Sequence, residues 1–186
     1  MTVEERLATL EAKVADLSAE ADIRRIISRY MWLCDVPMPE PDAESREKRI
    51  ELIVDLYTED AEWEGVGAYY DDQFGQKKGK AALRQHFQGF FEPREPAMLL
   101  NVHFLTTEHI EVNGDEATGS WVHFQPWIFA DGTSLLRSSR LYNGFKKENG
   151  VWKMSRYRTE NNFVAPLPDN WWESIPSESV LVRGGK

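Results

Sequence analysis

EATGSWVHFQPWIFADGTSLLRSSRLYNGFKKENGVWKMSRYRTENN, residues 116–162, decides the fold of this chain. Three strand-like stretches, 116–130, 134–147 and 151–162, are separated by Asp131-Gly132 and Asn149-Gly150. Such dipeptides accept the positive φ angles of tight hairpin turns. Immediately upstream, 98–112 reads as another strand closed by Asn113-Gly114. Four long strands in succession predict an antiparallel meander. The first contains His103-Phe104-Leu105-Thr106-Thr107-Glu108, and a histidine within a strand-like run is the leading candidate for acid–base chemistry without a cofactor.

Before residue 98 the pattern is helical. Leu7, Leu10, Val14 and Leu17 recur at spacings of three and four, followed by Ile23, Ile26, Ile27, Tyr30 and Leu33, which predicts one long or broken helix ending near Cys34-Asp35. Its charged first half, 1–20, reads as an arm that packs on the surface or on another subunit; its second half reads as core. Pro37, Pro39 and Pro41 interrupt, and Ile50, Ile53, Val54 and Tyr57 mark a second helix over 45–57. A short strand at 62–66, a loop over 67–80 and a third helix carrying Leu83, Phe87, Phe90 and Phe91 up to Pro93 complete this half. Helices followed by a long meander in 186 residues predict a single α+β domain, 1–186. The expected form is a cone-shaped barrel, a strongly curved antiparallel sheet wrapped around the N-terminal helices and leaving a conical pocket.

Composition narrows the function. A net charge of −9 disfavours nucleic acid and anionic membrane surfaces, which require clustered Lys and Arg. No apolar run reaches bilayer-spanning length, the N-terminus lacks a signal-peptide core and Cys34 is the single cysteine, so the expected compartment is cytoplasmic. The four histidines are not clustered and no phosphate-binding glycine motif occurs, which leaves neither a metal nor a nucleotide cofactor as an expectation.

Read in order, Ile27-Ser28-Arg29-Tyr30, Asp35, Leu56-Tyr57-Thr58-Glu59-Asp60-Ala61-Glu62-Trp63, Gly79-Lys80-Ala81-Ala82-Leu83, His103, Gly114-Asp115-Glu116-Ala117 and Gly150-Val151-Trp152-Lys153-Met154 form a pattern. Over 21–158 it resembles the SnoaL-like branch of the nuclear transport factor 2-like superfamily. That resemblance implies the cone-shaped fold. Relatives include scytalone dehydratase, a dehydrochlorinase, polyketide cyclases, cofactor-free lyases that deformylate lignin-derived diarylpropanes, and non-enzymes, so fold alone does not fix function. In the dehydratase and dehydrochlorinase branch, an aspartate at the end of the first core helix pairs with a histidine on the first long strand. The resemblance places these roles on Asp35 and His103, with His103 as general base. The other reading of the pair is a core histidine satisfied by a backbone carbonyl and an aspartate capping the proline-rich loop. The dehydratase's tyrosine before the aspartate is Cys34 here, and its second histidine falls near Trp127, with His123 on the same face. The loop over 35–45 is long for the family and is expected at the pocket rim.

Further candidates are weaker. His123 shares a strand face with Gly119, Trp121, Gln125 and Trp127, which lines either the cone or a subunit interface. Arg140, Tyr142, Arg156 and Arg158 lie on the last two strands, suited either to stabilising developing negative charge or to pairing with surplus carboxylates. Tyr30 is placed either to donate to a leaving oxygen or to fill core, and Tyr69 and Tyr70 to reach the mouth; His86 and His109 read as solvent-facing or half-buried. The leading expectation is a cofactor-free lyase that eliminates water or formaldehyde from a small hydroxylated aromatic substrate, a lignin-derived diaryl compound being one such class. An isomerase or polyketide-type cyclase with the same base, and a non-catalytic small-ligand binder, are the alternatives. Apolar Val122, Phe124 and Ile128 on the outward set predict a homo-oligomer, dimer or trimer. The tail, 163–186, with Pro166, Pro168 and Trp171-Trp172, is expected to fold back as a lid or a subunit clasp.

Overall fold

The computed structural model describes residues 1–38, 45–67, 70 and 74–174. Helix α1 (Val3–Cys34) is continuous. Thr2 and Glu5 close its N-terminus with a reciprocal capping box, and Asp35 ends it in extended backbone. Burial begins only at Ala19, so the arm over 3–18 does not pack on its own domain. Helix α2 (Arg46–Asp55) starts on a Ser45 cap and stops short of the predicted end because Tyr57, fully buried, opens strand β1 (Tyr57–Val66). Strand β2 (Gln76–Lys78) and helix α3 (Lys80–Phe90) follow.

The predicted strand 98–112 is two strands, β3 (Met98–Asn101) and β4 (Phe104–Asn113), and His103 lies in the break between them, not within a strand. Both pair with β5 (Glu116–Phe129), and the break faces Gln125-Pro126. Proline has no N–H to give a neighbouring strand. The meander continues through β6 (Ser134–Glu148) and β7 (Val151–Pro166). Sheet order is β2-β1-β7-β6-β5-β3, with β4 also beside β5. The sheet is mixed where a wholly antiparallel one was predicted: β1 runs parallel to β7. The long stretch of chain between these two strands supplies the crossover that a parallel pair requires.

Register shifts in the β1–β7, β4–β5 and β6–β7 ladders bend the sheet. It curls around the second half of α1, α2 and α3 as the expected α+β cone. One core joins all these elements, with Ile23, Ile27, Ile53, Leu83, Leu141, Phe145 and Met154 almost wholly buried. Among the described residues no helix is long and apolar enough to cross a membrane.

The first part of the tail, 163–166, is strand and not a separate segment. Residues up to Pro166 are the end of β7, paired with β6, and Leu167 N–H donates to the Ser134 carbonyl at 3.0 Å. A short 3-10 turn (Trp171–Ser174) then ends the described chain; residues 175–186 lie outside it.

Candidate active site

Alternation along β5 sends Ala117, Gly119, Trp121, His123, Gln125 and Trp127 to the inner face of the cone, where all are buried. The β5–β6 register sets Ser139 opposite His123 and Arg137 opposite Gln125. These four side chains and the end of α1 define the site.

Asp35 arrives by backbone pairing. Just beyond α1, Val36 and Asn101 exchange both hydrogen bonds, Val36 N to Asn101 O at 2.7 Å and Asn101 N to Val36 O at 2.9 Å. Arg49 donates to the carbonyls of Leu33 and Asp35, fixing the helix end from the other side. Asp35, diagonal to His103 across this bridge, is 7% exposed. Its Oδ1 accepts from the His103 backbone N–H at 3.0 Å and contacts His103 Nδ1 at 2.6 Å. The Gln125 amide nitrogen lies 3.0 Å from His103 Nε2 and also donates to Asn101 Oδ1. Since that amide is a donor, the pattern is that of an imidazole with its proton on Nδ1, toward Asp35, and its lone pair on Nε2.

The ring of His123 stacks on His103, centroids 5.0 Å apart and planes 10° from parallel. His123 is 4% exposed and neither of its ring nitrogens has a hydrogen-bond partner among the described residues. Burial, with His103 and Arg137 close by, pushes its pKa well below the ordinary histidine value, so it is neutral. Trp127 Nε1 is likewise buried without a partner. Beside them Arg137, 1% exposed, lies 3.9 Å over the Trp127 ring and 5.1 Å from the Tyr70 ring, whose hydroxyl bonds Ser139 at 2.9 Å.

These groups line a chamber of about 50 Å³ together with Tyr30, Trp63, Phe87 and Tyr157. Phe74, His86, Phe90 and Trp127 belong both to its wall and to an outer hollow of about 550 Å³, so they form the partition between the two. Tyr30 Oη accepts from Trp63 Nε1 at 3.2 Å, and burial raises its pKa well above the ordinary phenol value. Cys34, at the same wall, is pushed by burial to about 12. No group of three His, Cys, Asp or Glu converges among the described residues.

Of the residues singled out in the sequence, His103, Tyr30, His123 and Trp127 therefore meet in one chamber, with Asp35 behind His103. Others do not. Trp121 shares the inner face, but its indole donates to Glu108 at 3.2 Å and packs against Phe145. It approaches Gly119 so closely that a Cβ there would lie 2.3 Å from the ring. Arg140 and Tyr142 are exposed, opposite Val122 and Ser120 on the outer face. Arg158 is also on the outer side, bound to Glu64 and Glu160. Two register effects explain these corrections. The loop at Ala130-Asp131-Gly132 has three residues, Phe129 N–H donating to Thr133 O; a strict two-residue turn would instead set position 140 opposite His123. The shift between Gly144 and Phe145 reverses parity along β7, turning Tyr157 and Thr159 inward and Arg156 and Arg158 outward.

Arg137, Tyr157 and the partition role of His86 had no mark in the sequence beyond residue type, although the pairing of Arg137 with Gln125 follows once the hairpin register is known. Tyr70 is at the site as expected; Tyr69 and most of the predicted rim loop, 39–44, lie outside the described residues. Among the described residues none after Thr159 lines the chamber. His109 is exposed and pairs with Glu111, as expected of a surface histidine.

A sequence profile described as a SnoaL-like domain matches residues 15–158. No curated protein matches the sequence significantly. Among solved structures, a type 2 hexachlorocyclohexane dehydrochlorinase (LinA) is 21% identical, with 82% of this chain and 90% of that one covered and a TM-score of 0.63. The type 3 enzyme from Novosphingobium barchaimii LL02 is 20% identical over 81% and 91% of the two chains, TM-score 0.59. A nuclear transport factor 2-like protein with a cystatin-like fold, from Novosphingobium aromaticivorans, is 22% identical over 84% and 90%, TM-score 0.60. At these identities the likeness is one of fold.

Proposed function

The chain belongs to the SnoaL-like domain family, and from that premise we propose that it is a cofactor-independent lyase acting on a small hydroxylated aromatic compound. The observation that carries the reading is the Asp35–His103 contact at 2.6 Å, with the two side chains only 10% and 9% exposed and aromatic rings alongside. Asp35 holds the proton on Nδ1 and stabilises the imidazolium that forms when Nε2 takes a proton from a substrate hydroxyl or an activated carbon. For the substrate to reach Nε2 it displaces the Gln125 amide, whose other hydrogen bond, to Asn101, keeps it in place. His123 and Trp127 offer the polar atoms left without partners, which a hydroxylated ring system satisfies. Arg137 supplies positive charge where an alkoxide or enolate develops. The imidazolium then returns that proton, either to the hydroxyl whose C–O bond breaks, so that water leaves and a C=C bond forms, or to the carbon freed when the C–C bond of a deprotonated hydroxymethyl group breaks and formaldehyde leaves.

The narrowness of the chamber favours a second reading. A space of about 50 Å³ holds little more than a water molecule. An aromatic substrate requires that Phe74 or Phe90 swing aside and join the chamber to the outer hollow; a protein whose rings stay closed is a binder of small ligands in the hollow instead. Incubation with a panel of hydroxylated diaryl and monoaryl compounds, followed for released formaldehyde and for new alkene absorbance, separates the two. Turnover lost in His103→Ala supports the lyase; retention of unchanged ligand by wild type and His103→Ala alike sinks it. A product isomeric with its substrate transfers the same base to an isomerase or cyclase. For partners beyond substrate, the proposal is a homo-oligomer through the outer sheet face, where Phe104, Phe124 and Phe163 are exposed; Ile128, expected in that set, is buried.

A further inference from the structure

The two halves of α1 carry apolar stripes that point in different directions. At 100° per residue, Val3, Leu7, Leu10, Val14 and Leu17 share one side of the helix, and Ala19, Ile23, Ile27, Tyr30 and Cys34 share another, about 160° away. The second stripe is buried in the barrel core. The first is between 55% and 76% exposed in a helical segment that leaves the barrel by about 24 Å. It is not a frayed continuation of the core stripe, since it faces away from the barrel. Among the described residues none covers it.

The spacing identifies the occupant. Positions 3, 7, 10, 14 and 17 alternate steps of four and three, the seam of a coiled coil, with Leu7 and Val14 as one set of knobs and Val3, Leu10 and Leu17 as the other. The flanks are charged unequally. Glu4, Glu11 and Ser18 border one side of the seam; Arg6, Lys13 and Glu20 border the other. In a parallel pair of identical helices each flank meets the opposite flank one heptad on, so Arg6 faces the partner's Glu11, twice by symmetry. In an antiparallel pair each flank meets its own kind, acid against acid and Arg6 or Lys13 against each other. We propose that residues 3–18 pair in parallel, in register, with the same segment of a second copy of this chain as a two-stranded coiled coil. Because the seam faces away from the core stripe, the two barrels lie on the outside of the pair and do not collide.

Two and a half heptads are few for an independent coiled coil, so the pairing is weak alone and is strengthened by the outer sheet faces only if these also associate. The test therefore reads the arm directly. In the full-length protein, Val3→Cys places a thiol at the seam's outer end, where only a parallel, in-register pair brings it to its own copy; Cys34 is buried and does not compete. Mild oxidation is expected to give a disulfide-linked dimer, abolished when Leu10→Lys and Leu17→Lys are added. The linkage should weaken roughly tenfold with Arg6→Glu and return with Arg6→Glu/Glu11→Arg, the scale of exchanging two exposed attractions for two repulsions. All these sites are on exposed helix surface, so the melting temperature should not move. A Val3→Cys protein that stays unlinked, or a linkage indifferent to Leu10→Lys/Leu17→Lys, overturns the proposal.

Discussion

The inner and outer faces of β5 and β6 both mix polar and aromatic side chains, each with an arginine, and behave as opposites. Inside, His123, Gln125, Arg137 and Ser139 sit opposite one another with almost no solvent: Gln125 is tied into the Asp35–His103 network, Ser139 bonds Tyr70, and the His123 ring nitrogens have no hydrogen-bond partner among the described residues. Outside, Val122, Phe124, Arg140 and Tyr142 occupy the alternate positions, open to water or to a second copy. A buried polar group without a partner costs on the order of 1–3 kcal/mol. An exposed one costs nothing. The inner face therefore holds its polar atoms at a stability cost that the outer face does not bear, as a site prepared for substrate does.

The comparison breaks first at the base. His103→Ala and Asp35→Asn should each lower turnover by about 10²- to 10⁴-fold with the fold intact by circular dichroism, and full activity in both would remove the mechanism. Next comes Arg137→Met against Arg140→Met. The inner substitution should lower kcat/KM by at least about tenfold, whereas the outer one should stay within about twofold; equal effects would mean that the faces are not functionally distinct. On the outer face, Phe124→Glu should shift the mass in solution toward the monomer by analytical ultracentrifugation while leaving per-site activity unchanged.

The smallest effect concerns His86 in the partition. Burial, helped by Lys77, lowers its pKa from 6.5 to about 4, so between those values the unfolded chain binds the extra proton and the folded chain does not. Stability contributed by neutral His86 is thus complete above about pH 6.5 and declines as pH falls toward 4. Chemical denaturation at pH 7 and pH 5 should show a drop that is smaller in His86→Phe, which keeps the ring contacts with Trp63 and Phe90.

Much of this architecture was legible in residues 98–162, because alternation and turn dipeptides are local. The turn at Asn149-Gly150, with both residues at positive φ and Glu148 paired with Val151, is the tight hairpin the dipeptide announces. The inner set of β5 was also readable from its period of two. The partners of that set on β6 and β7 were not. One extra residue in the loop at 130–132 decides whether 137 and 139 or 138 and 140 face His123, and one register shift near Gly144 decides which side Arg158 takes. The splitting of 98–112 was equally hidden, since only the strand next to it reveals the break.

By itself the sequence determined that the chain is α+β, that a meander follows helices, and that α1 carries two apolar stripes, since these depend on periods of two and 3.6 within single segments. The resemblance carried in its ordered motifs paired Asp35 with His103. Tertiary structure decided how that pair is made, through the Val36–Asn101 bridge, and what surrounds it: His123 stacked and without a hydrogen-bond partner among the described residues, Arg137 in place of Arg140, a chamber that shares Phe74 and Phe90 with the outer hollow. Those outcomes depend on register and closure, and register is a relation between segments that shifts by a whole side-chain face for each residue of slip.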